Sequence, residues 1–181
     1  DYVLGPFHTP YPGMVRKAAV LGYRHMIRDI EVEEDLAEQI GTQPRREDFD
    51  SGEEFEQAIR DYMDELKNTE AYREWYADTI EPTLDISSHV GNWYTGSVHI
   101  ARMSALRHAV ENDVDLAGKR MLVASYGSGA QAAIHEETVQ PGFEEEVLAS
   151  NIDEQIDARY DLSWDEYEQV HDRHNHEKSV E

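Results

Sequence analysis

Near its amino terminus the chain reads Val3-Leu4-Gly5-Pro6-Phe7-His8-Thr9-Pro10-Tyr11, passing from an apolar run through a turn into a helix signal. The apolar run predicts the end of a buried strand, with His8 in the loop that follows it. Thr9 and Pro10 predict a helix N-cap followed by proline at the first helical position. An apolar helix face is then expected at Val15, Ala18, Ala19, Gly22 and Met26.

A helical insertion is expected next, at residues 31–80. Residues 31–51 are acidic and interrupted by Gly41 and Pro44, so they predict a connecting stretch. Ser51 and Glu54 form a capping box at the start of one helix, and a second helix is expected at residues 70–80. The aromatic set of this hairpin is typical of helix packing rather than of a ligand cage: Tyr62, Tyr72, Trp75 and Tyr76.

Beyond Pro82 the sequence returns to mixed elements. An irregular stretch at 87–97 precedes a helix, and Met121–Ser125 predicts a strand that ends in a glycine-rich loop. A second strand, Ala130–Thr138, is expected to pair with it. The order strand, helix, helical insertion, helix, strand, strand favours an α/β layer arrangement. We assign residues 1–150 to this domain and 151–181 to an acidic tail with a short helix, opened by a second capping box at Ser163 and Glu166.

The charge of the chain excludes several partners. It has 39 acidic and 16 basic residues, a net charge of -23, and the acids occur in several predicted elements instead of forming one tail. Such a charge repels nucleic acid and anionic lipid, and no stretch is apolar enough to span a membrane. Uniform acidity of this kind is typical of proteins from a high-salt cytoplasm. The start at Asp1, with neither an initiator Met nor a signal pattern, suggests an incomplete chain.

Cysteine is absent from the chain, which removes disulfides, thiolate metal sites and thiol catalysis from it. His171, His174 and His176 lie near the acidic terminus, but nothing in the sequence fixes their geometry. A solvated tail therefore explains them better than a metal site, and we expect no metal.

Three short loops carry residues suited to acid/base chemistry on a carbonyl compound. They are Phe7-His8-Thr9-Pro10-Tyr11, Gly91-Asn92-Trp93-Tyr94-Thr95-Gly96-Ser97 and Ser125-Tyr126-Gly127-Ser128-Gly129. A histidine transfers protons near neutral pH, an asparagine amide orients such a group or donates to an oxyanion, and glycine lets a ligand approach backbone N–H groups. Each loop alone is a weak signal, and their combination is stronger.

In order and spacing these loops resemble the second half of the 3-hydroxy-3-methylglutaryl-CoA synthase family. Ala158-Arg159-Tyr160-Asp161-Leu162-Ser163 is similar to the family's closing segment. The resemblance implies a thiolase-like α/β fold, with this chain as most of its C-terminal half plus the helical insertion. It also implies a cytoplasmic enzyme of the mevalonate pathway, here from a halophilic archaeon.

The resemblance implies a role for five residues. His8 matches the acid/base histidine that assists at the acetoacetyl carbonyl. Asn92 and Ser128 match positions that hydrogen-bond the acyl group, and Tyr94 is expected in the same pocket. Lys17 matches a cation that meets the CoA phosphates.

The resemblance also implies substrates and partners. The family condenses acetyl-CoA with acetoacetyl-CoA and needs no cofactor beyond these CoA thioesters. Its nucleophilic cysteine and glutamate base belong to the missing N-terminal half, so this chain alone is predicted to be inactive. A homo-oligomer is expected for the complete protein. Gly13 stands where family members commonly carry a lysine, which leaves part of the CoA contact open.

Two alternatives remain at this point. A ketoacyl-synthase-like condensing enzyme would share the fold and the use of His and Asn, but Trp93-Tyr94-Thr95 and Tyr126-Gly127-Ser128-Gly129 favour the hydroxymethylglutaryl branch. A non-catalytic companion subunit that binds CoA esters would explain the missing cysteine. His8, Asn92 and Ser128 argue against it, since a binding module has little need of a proton-transfer histidine.

Overall fold

A computed structural model describes residues 2–27, 30–127, 129 and 131–178. The chain divides into two compact units, Asp1–Ala149 and Ser150–Glu181. The first unit contains a small sheet and several helices, and the second contains helices. The mixed architecture agrees with the expected α/β class.

The described sheet has three strands in the order β1-β2-β3. Strand β1 (Tyr2–Leu4) pairs in parallel with β2 (Arg120–Gly127), and β2 pairs antiparallel with β3 (Gln131–Thr138). All three predicted strands are therefore confirmed. Residues 131–136 of β3 are exposed, because this strand lies at the edge of the sheet and no described helix covers it.

Helix α1 (Pro12–Met26) begins two residues later than the sequence predicts. Thr9 does not cap it, because its buried hydroxyl donates to the Phe7 carbonyl oxygen at 2.7 Å. Tyr11, in extended conformation, is the N-cap instead, and Pro12 is the first helical residue. The buried face is also shifted from the prediction, since it consists of Val15, Ala19, Val20 and Tyr23 while Met26 is exposed.

The stretch predicted as a connection contains a further helix, so that prediction is wrong for its first part. Helix α2 (Ile30–Ile40) buries Leu36, and its acidic residues lie mostly on the exposed side. The helix ends at Gly41, whose φ of 84° suits glycine. A short 3₁₀ turn, Arg46–Asp48, follows.

The helical hairpin is confirmed as α3 (Gly52–Leu66) and α4 (Glu70–Thr79). Both halves of the predicted capping box are present, with Ser51 Oγ accepting from the Glu54 N–H and Glu54 accepting from the Ser51 N–H. Tyr72 and Trp75 form ring contacts with Tyr23, Tyr76 contacts Tyr72, and Tyr62 is buried in the same cluster. Burial raises the pKa of Tyr72 to about 12. The packing role of the hairpin aromatics is confirmed.

The stretch 87–97 is more regular than expected. Helix α5 (Asp85–Val90) occupies its first part, and a 3₁₀ turn, Tyr94–Gly96, leads into α6 (Ser97–Glu111). The small polar residues of this stretch suggested an irregular segment. In the structure Ser87 is buried, and Ser88 donates back to the Asp85 carbonyl oxygen at 2.6 Å. Such backbone hydrogen bonds are compatible with a helix.

Three apolar clusters hold the first unit together. One joins α6, β2 and α7 (Phe143–Ala149), and a second joins α1, α2, α3 and α4. A third consists of Val15, Ala19, Ile80 and Leu84, with Phe7 packed against it. Because this third cluster lies beneath the start of α1, it supports the loop that carries His8.

The second unit contains α8 (Ile152–Asp157) and α9 (Trp164–Lys178), and so has more helix than the tail predicted from the sequence. Its capping box is confirmed, since Ser163 Oγ accepts from the Glu166 N–H and Glu166 accepts from the Ser163 N–H. Hydrogen bonds from Ser163 and Tyr160 hold the pKa of Glu166 below its usual range. Nowhere in the described residues is a helix both long and apolar enough to cross a bilayer.

Candidate active site

His8 is fixed by its backbone to the central strand. Its N–H donates to the Ala124 carbonyl oxygen at 2.7 Å, and the Ala124 N–H donates to the Pro6 carbonyl oxygen at 3.0 Å. Phe7 and Ala124 form an isolated parallel bridge. These bonds continue the β1–β2 pairing past the end of β1, so the position of His8 is set by the sheet.

The side chain of His8 lies at a cleft of about 280 Å³. One wall comes from the start of α1, through Met14, Val15 and Ala18. The opposite wall is the sheet. Its lining residues are Ala124, Ser125, Tyr126, Ala132 and Ile134.

Strand register explains the composition of that sheet wall. Alternate residues of a strand share a face, so Ala124 and Tyr126 point to the same side. Ala124 is paired with Ile134, and Tyr126 with Ala132. Met121 and Val123 are buried in the cluster of β2 with α6 and α7. One face of the sheet therefore packs on the core cluster, and the cleft lies on the opposite face.

The cleft combines an apolar lining with one imidazole. His8 is half-buried, and within the described residues neither of its ring nitrogens has a hydrogen-bond partner. An apolar cleft of this size accommodates an acyl chain, and an unengaged imidazole at its edge can exchange a proton with a carbonyl oxygen. This arrangement is suited to acid/base chemistry on an acyl compound.

Tyr126 is the aromatic neighbour of His8, with ring centroids 6.4 Å apart. From the sequence this tyrosine was expected in the loop after the strand, with no site role of its own. The signal that could have identified it is the alternation along β2 and β3, which places it on the cleft side. It lies in the described end of β2, and its side chain is 54% exposed.

The loop with Asn92 and Tyr94 is held by its own hydrogen bonds. Asn92 Oδ1 accepts from the Tyr94 N–H at 2.7 Å, and the Trp93 N–H donates to Ser97 Oγ at 3.2 Å. Tyr94 is 77% exposed and has a φ of 48°. Neither Asn92 nor Tyr94 is among the described residues that line the His8 cleft. Their proposed substrate contacts stay predictions.

The two remaining predicted site residues are Lys17 and Ser128. Lys17 is exposed on α1 beside Ala18, and it does not line the cleft. Ser128 lies outside the described residues. At Gly13 the Tyr11 ring occupies the space of a side chain, since a Cβ there would lie 2.7 Å from Tyr11 Cε2. A lysine at this position would require that ring to move.

An ion pair connects α6 to β3, the edge strand of the sheet. Arg102 Nη1 donates to both Glu137 carboxylate oxygens at 2.9 Å, and His135 Nε2 lies 3.0 Å from Glu137 Oε1. Burial alone would raise the pKa of Glu137, but the hydrogen bonds from Arg102 and His135 outweigh it and lower this pKa. The pair thus helps to fix the strand that carries Ala132 and Ile134.

The described residues include no group of three or more His, Cys, Asp or Glu side chains placed to hold a metal ion. His171 is described and stacks on Tyr167, with ring centroids 5.9 Å apart. The side chains of His174 and His176 lie outside the described part, so the proposed cluster is not tested.

Comparison with known proteins gives a consistent result. Residues 1–181 match the family described as hydroxymethylglutaryl-coenzyme A synthase C terminal. The hydroxymethylglutaryl-CoA synthase of Haloferax volcanii is 62% identical over 176 residues, which cover 97% of this chain and 40% of that protein. The chain therefore spans less than half the length of this relative.

Solved structures support the fold. MvaS in complex with 3-hydroxy-3-methylglutaryl coenzyme A matches with a TM-score of 0.61 and 23% identity, covering 93% of this chain and 34% of that one. PksG, a synthase from Bacillus subtilis, matches with a TM-score of 0.59 and 21% identity, covering 92% and 31%. These likenesses confirm the thiolase-like fold.

Proposed function

Because the chain belongs to the hydroxymethylglutaryl-CoA synthase family, as its C-terminal part, we propose that it forms the acid/base side of that enzyme's active site. In the complete protein the reaction would be the condensation of acetyl-CoA with acetoacetyl-CoA. The observation that supports this proposal is His8, which lies at the edge of an apolar cleft, has no hydrogen-bond partner for its ring among the described residues and is fixed by backbone bonds to β2.

In the proposed reaction His8 acts on the ketone of the acetoacetyl group. The carbanion of the enzyme-bound acetyl group attacks that carbonyl carbon, and a new carbon–carbon bond forms while the C=O π electrons move to oxygen. His8 in its protonated form donates to the developing alkoxide, which becomes the tertiary hydroxyl. The cleft walls, Met14 on one side and Ile134 on the other, would exclude water from the acyl chain.

Four further residues have proposed binding roles. Asn92 and Ser128 would hydrogen-bond the acyl portion, with Tyr94 beside them. Lys17, exposed on the helix that forms the cleft wall, would attract the CoA phosphates. A local cation is useful here because a net charge of -23 otherwise repels an anionic substrate.

The test uses the protein expressed with all of its natural flanking sequence. Incubation with acetyl-CoA and acetoacetyl-CoA should yield 3-hydroxy-3-methylglutaryl-CoA, detected by mass spectrometry. If the protein becomes acetylated on no residue and gives no condensation product, the companion-subunit alternative replaces this proposal. If the protein instead extends malonyl thioesters with loss of carbon dioxide, the ketoacyl-synthase alternative replaces this proposal.

We further propose that the protein works in the high-salt cytoplasm of a halophilic archaeon, as a homo-oligomer in the mevalonate pathway. The acidic composition and the similarity to a Haloferax protein support the setting. Repulsion among 39 acidic residues is screened over about 10 Å at 0.1 M salt and about 3 Å at 1 M.

That setting predicts a salt-dependent stability. The unfolding temperature should rise by several degrees between about 0.1 M and 1 M KCl, because added salt weakens the self-repulsion of the folded chain. Differential scanning calorimetry in KCl measures this rise. The same measurement in sucrose at matched osmolarity separates the screening of charges by salt from the stabilisation that an uncharged excluded solute produces. Equal rises in KCl and sucrose would remove the electrostatic explanation.

A further inference from the structure

A second cavity lies at the carboxy-terminal end of α1, away from the residues of the His8 cleft. It has a volume of about 210 Å³ and is lined by Arg24, His25, Ile27, Glu33, Gln43 and Arg45. Arg24 and His25 come from α1, Glu33 comes from α2, and Gln43 and Arg45 come from the segment before α3. We call it the basic cavity.

The charge of the basic cavity is opposite to that of the protein. Among the described residues that line it, two arginines and one histidine stand against the single carboxylate of Glu33, in a chain with a net charge of -23. Helix α1 contains no Asp or Glu between Pro12 and Met26, whereas α2 and α3 are rich in both. A local concentration of cations on such a molecule attracts small anions to one place.

Arg24 is held in position without losing its charge. When the Gln43 amide oxygen faces it, that oxygen accepts from Arg24 Nε and Nη2 at 2.9 and 3.0 Å. Gln43 is neutral, so the guanidinium charge is not cancelled. In the part of the chain that the structure describes, no ion pair joins Arg24 or Arg45 to a carboxylate. The remaining N–H groups are therefore available to a ligand.

We propose that the basic cavity binds a phosphate group. Guanidinium groups match phosphate oxygens with paired N–H donors, and two of them with an imidazole can surround one tetrahedral anion. A ligand with a single carboxylate would accept hydrogen bonds from fewer of these donors than a phosphate group would. The proposal does not depend on the function assigned to His8, because the apolar cleft and the basic cavity share no lining residue.

Two sources of the phosphate group are compatible with this chemistry. One is free inorganic phosphate. The other is the nucleotide end of a CoA molecule, since α1 contributes Ala18 to the His8 cleft and Arg24 to the basic cavity. These two positions are separated by about 9 Å along the helix at 1.5 Å per residue.

Isothermal titration with inorganic phosphate tests the proposal on the protein with its natural flanking sequence. One-to-one binding is expected, and Arg24→Gln and Arg45→Gln should each weaken it about tenfold or more, because each removes a charge-assisted hydrogen bond. Arg73→Gln is the matched control, since Arg73 is exposed on α4 and its replacement changes the net charge equally. It should leave the affinity unchanged.

The outcomes separate clearly. Absence of phosphate binding, or an affinity lowered equally by Arg73→Gln, overturns the proposal. Arg45 is exposed, so its variant reports on binding even if Arg24→Gln disturbs folding. Once Arg-dependent phosphate binding is seen, competition with CoA and with dephospho-CoA identifies the source. Displacement by CoA that is lost with dephospho-CoA assigns the site to the 3′-phosphate, and no displacement by either assigns it to free phosphate.

Discussion

The His8→Ala variant, in the protein with its natural flanking sequence, is expected to form 3-hydroxy-3-methylglutaryl-CoA about 10²–10⁴-fold more slowly than the parent. The substitution removes the proton donor for the alkoxide but leaves the backbone bonds between residue 8 and Ala124 intact. Acetylation of the enzyme by acetyl-CoA should continue, because the nucleophile implied by the family lies outside this chain. Steady-state product formation and radiolabelled acetyl transfer measure the two steps separately.

His108→Ala is the matched control for this variant. His108 is exposed on α6 and bonds only locally, to Asn112, so its loss should leave both steps unchanged. If condensation by His8→Ala equals that of the parent while acetylation is normal, His8 is not the acid/base group. If acetylation falls as much as condensation, the histidine acts before the carbon–carbon bond forms, and its proposed role is wrong.

Much of the fold could be predicted because its signals are local. The capping boxes at Ser51 and Ser163 each depend on residues three apart, and both are present. The β2–β3 pairing follows from two short apolar or alternating runs separated by glycines, and it too is confirmed. Such features require no knowledge of what lies elsewhere in the chain.

Other elements could not be predicted because their residues have more than one local option. Thr9 was expected to cap a helix, but its hydroxyl bonds to Phe7 instead, so the helix begins at Pro12. Helix α2 was missed because its acidic composition resembles that of a loop, whereas buried Leu36 and partly buried Ile40 pack it against the core. A competing local bond decided the first case, and a tertiary contact decided the second.

The candidate site could be predicted in part, because some of its signals are local and others depend on distant residues. A histidine in a strand-to-helix turn is visible in sequence, and the structure places it at a cleft. The walls of the cleft depend on register, since Ile134 reaches it only because it pairs with Ala124. The cavity at Arg24 and Arg45 joins residues on either side of α2, which no spacing rule connects.

Ile80→Ala is expected to lower the free energy of unfolding by about 2–5 kcal/mol, the usual cost of truncating a fully buried aliphatic residue. Ile80 has 0% of its surface exposed and lies in the cluster with Val15, Ala19 and Leu84. Phe7 packs against the same cluster. The void would therefore open beneath both the start of α1 and the loop that carries His8. Urea unfolding followed by circular dichroism measures the loss.

Leu148→Ala is the matched control, because it removes a similar volume from a side chain that is 66% exposed on α7. Its free energy of unfolding should change by no more than about 0.5 kcal/mol, as for other surface substitutions. Equal losses in the two variants would contradict the placement of Ile80 in the core. A selective loss at Ile80 would show that the cluster at the end of α4 stabilises the fold beneath Phe7, which also bridges to Ala124 of β2.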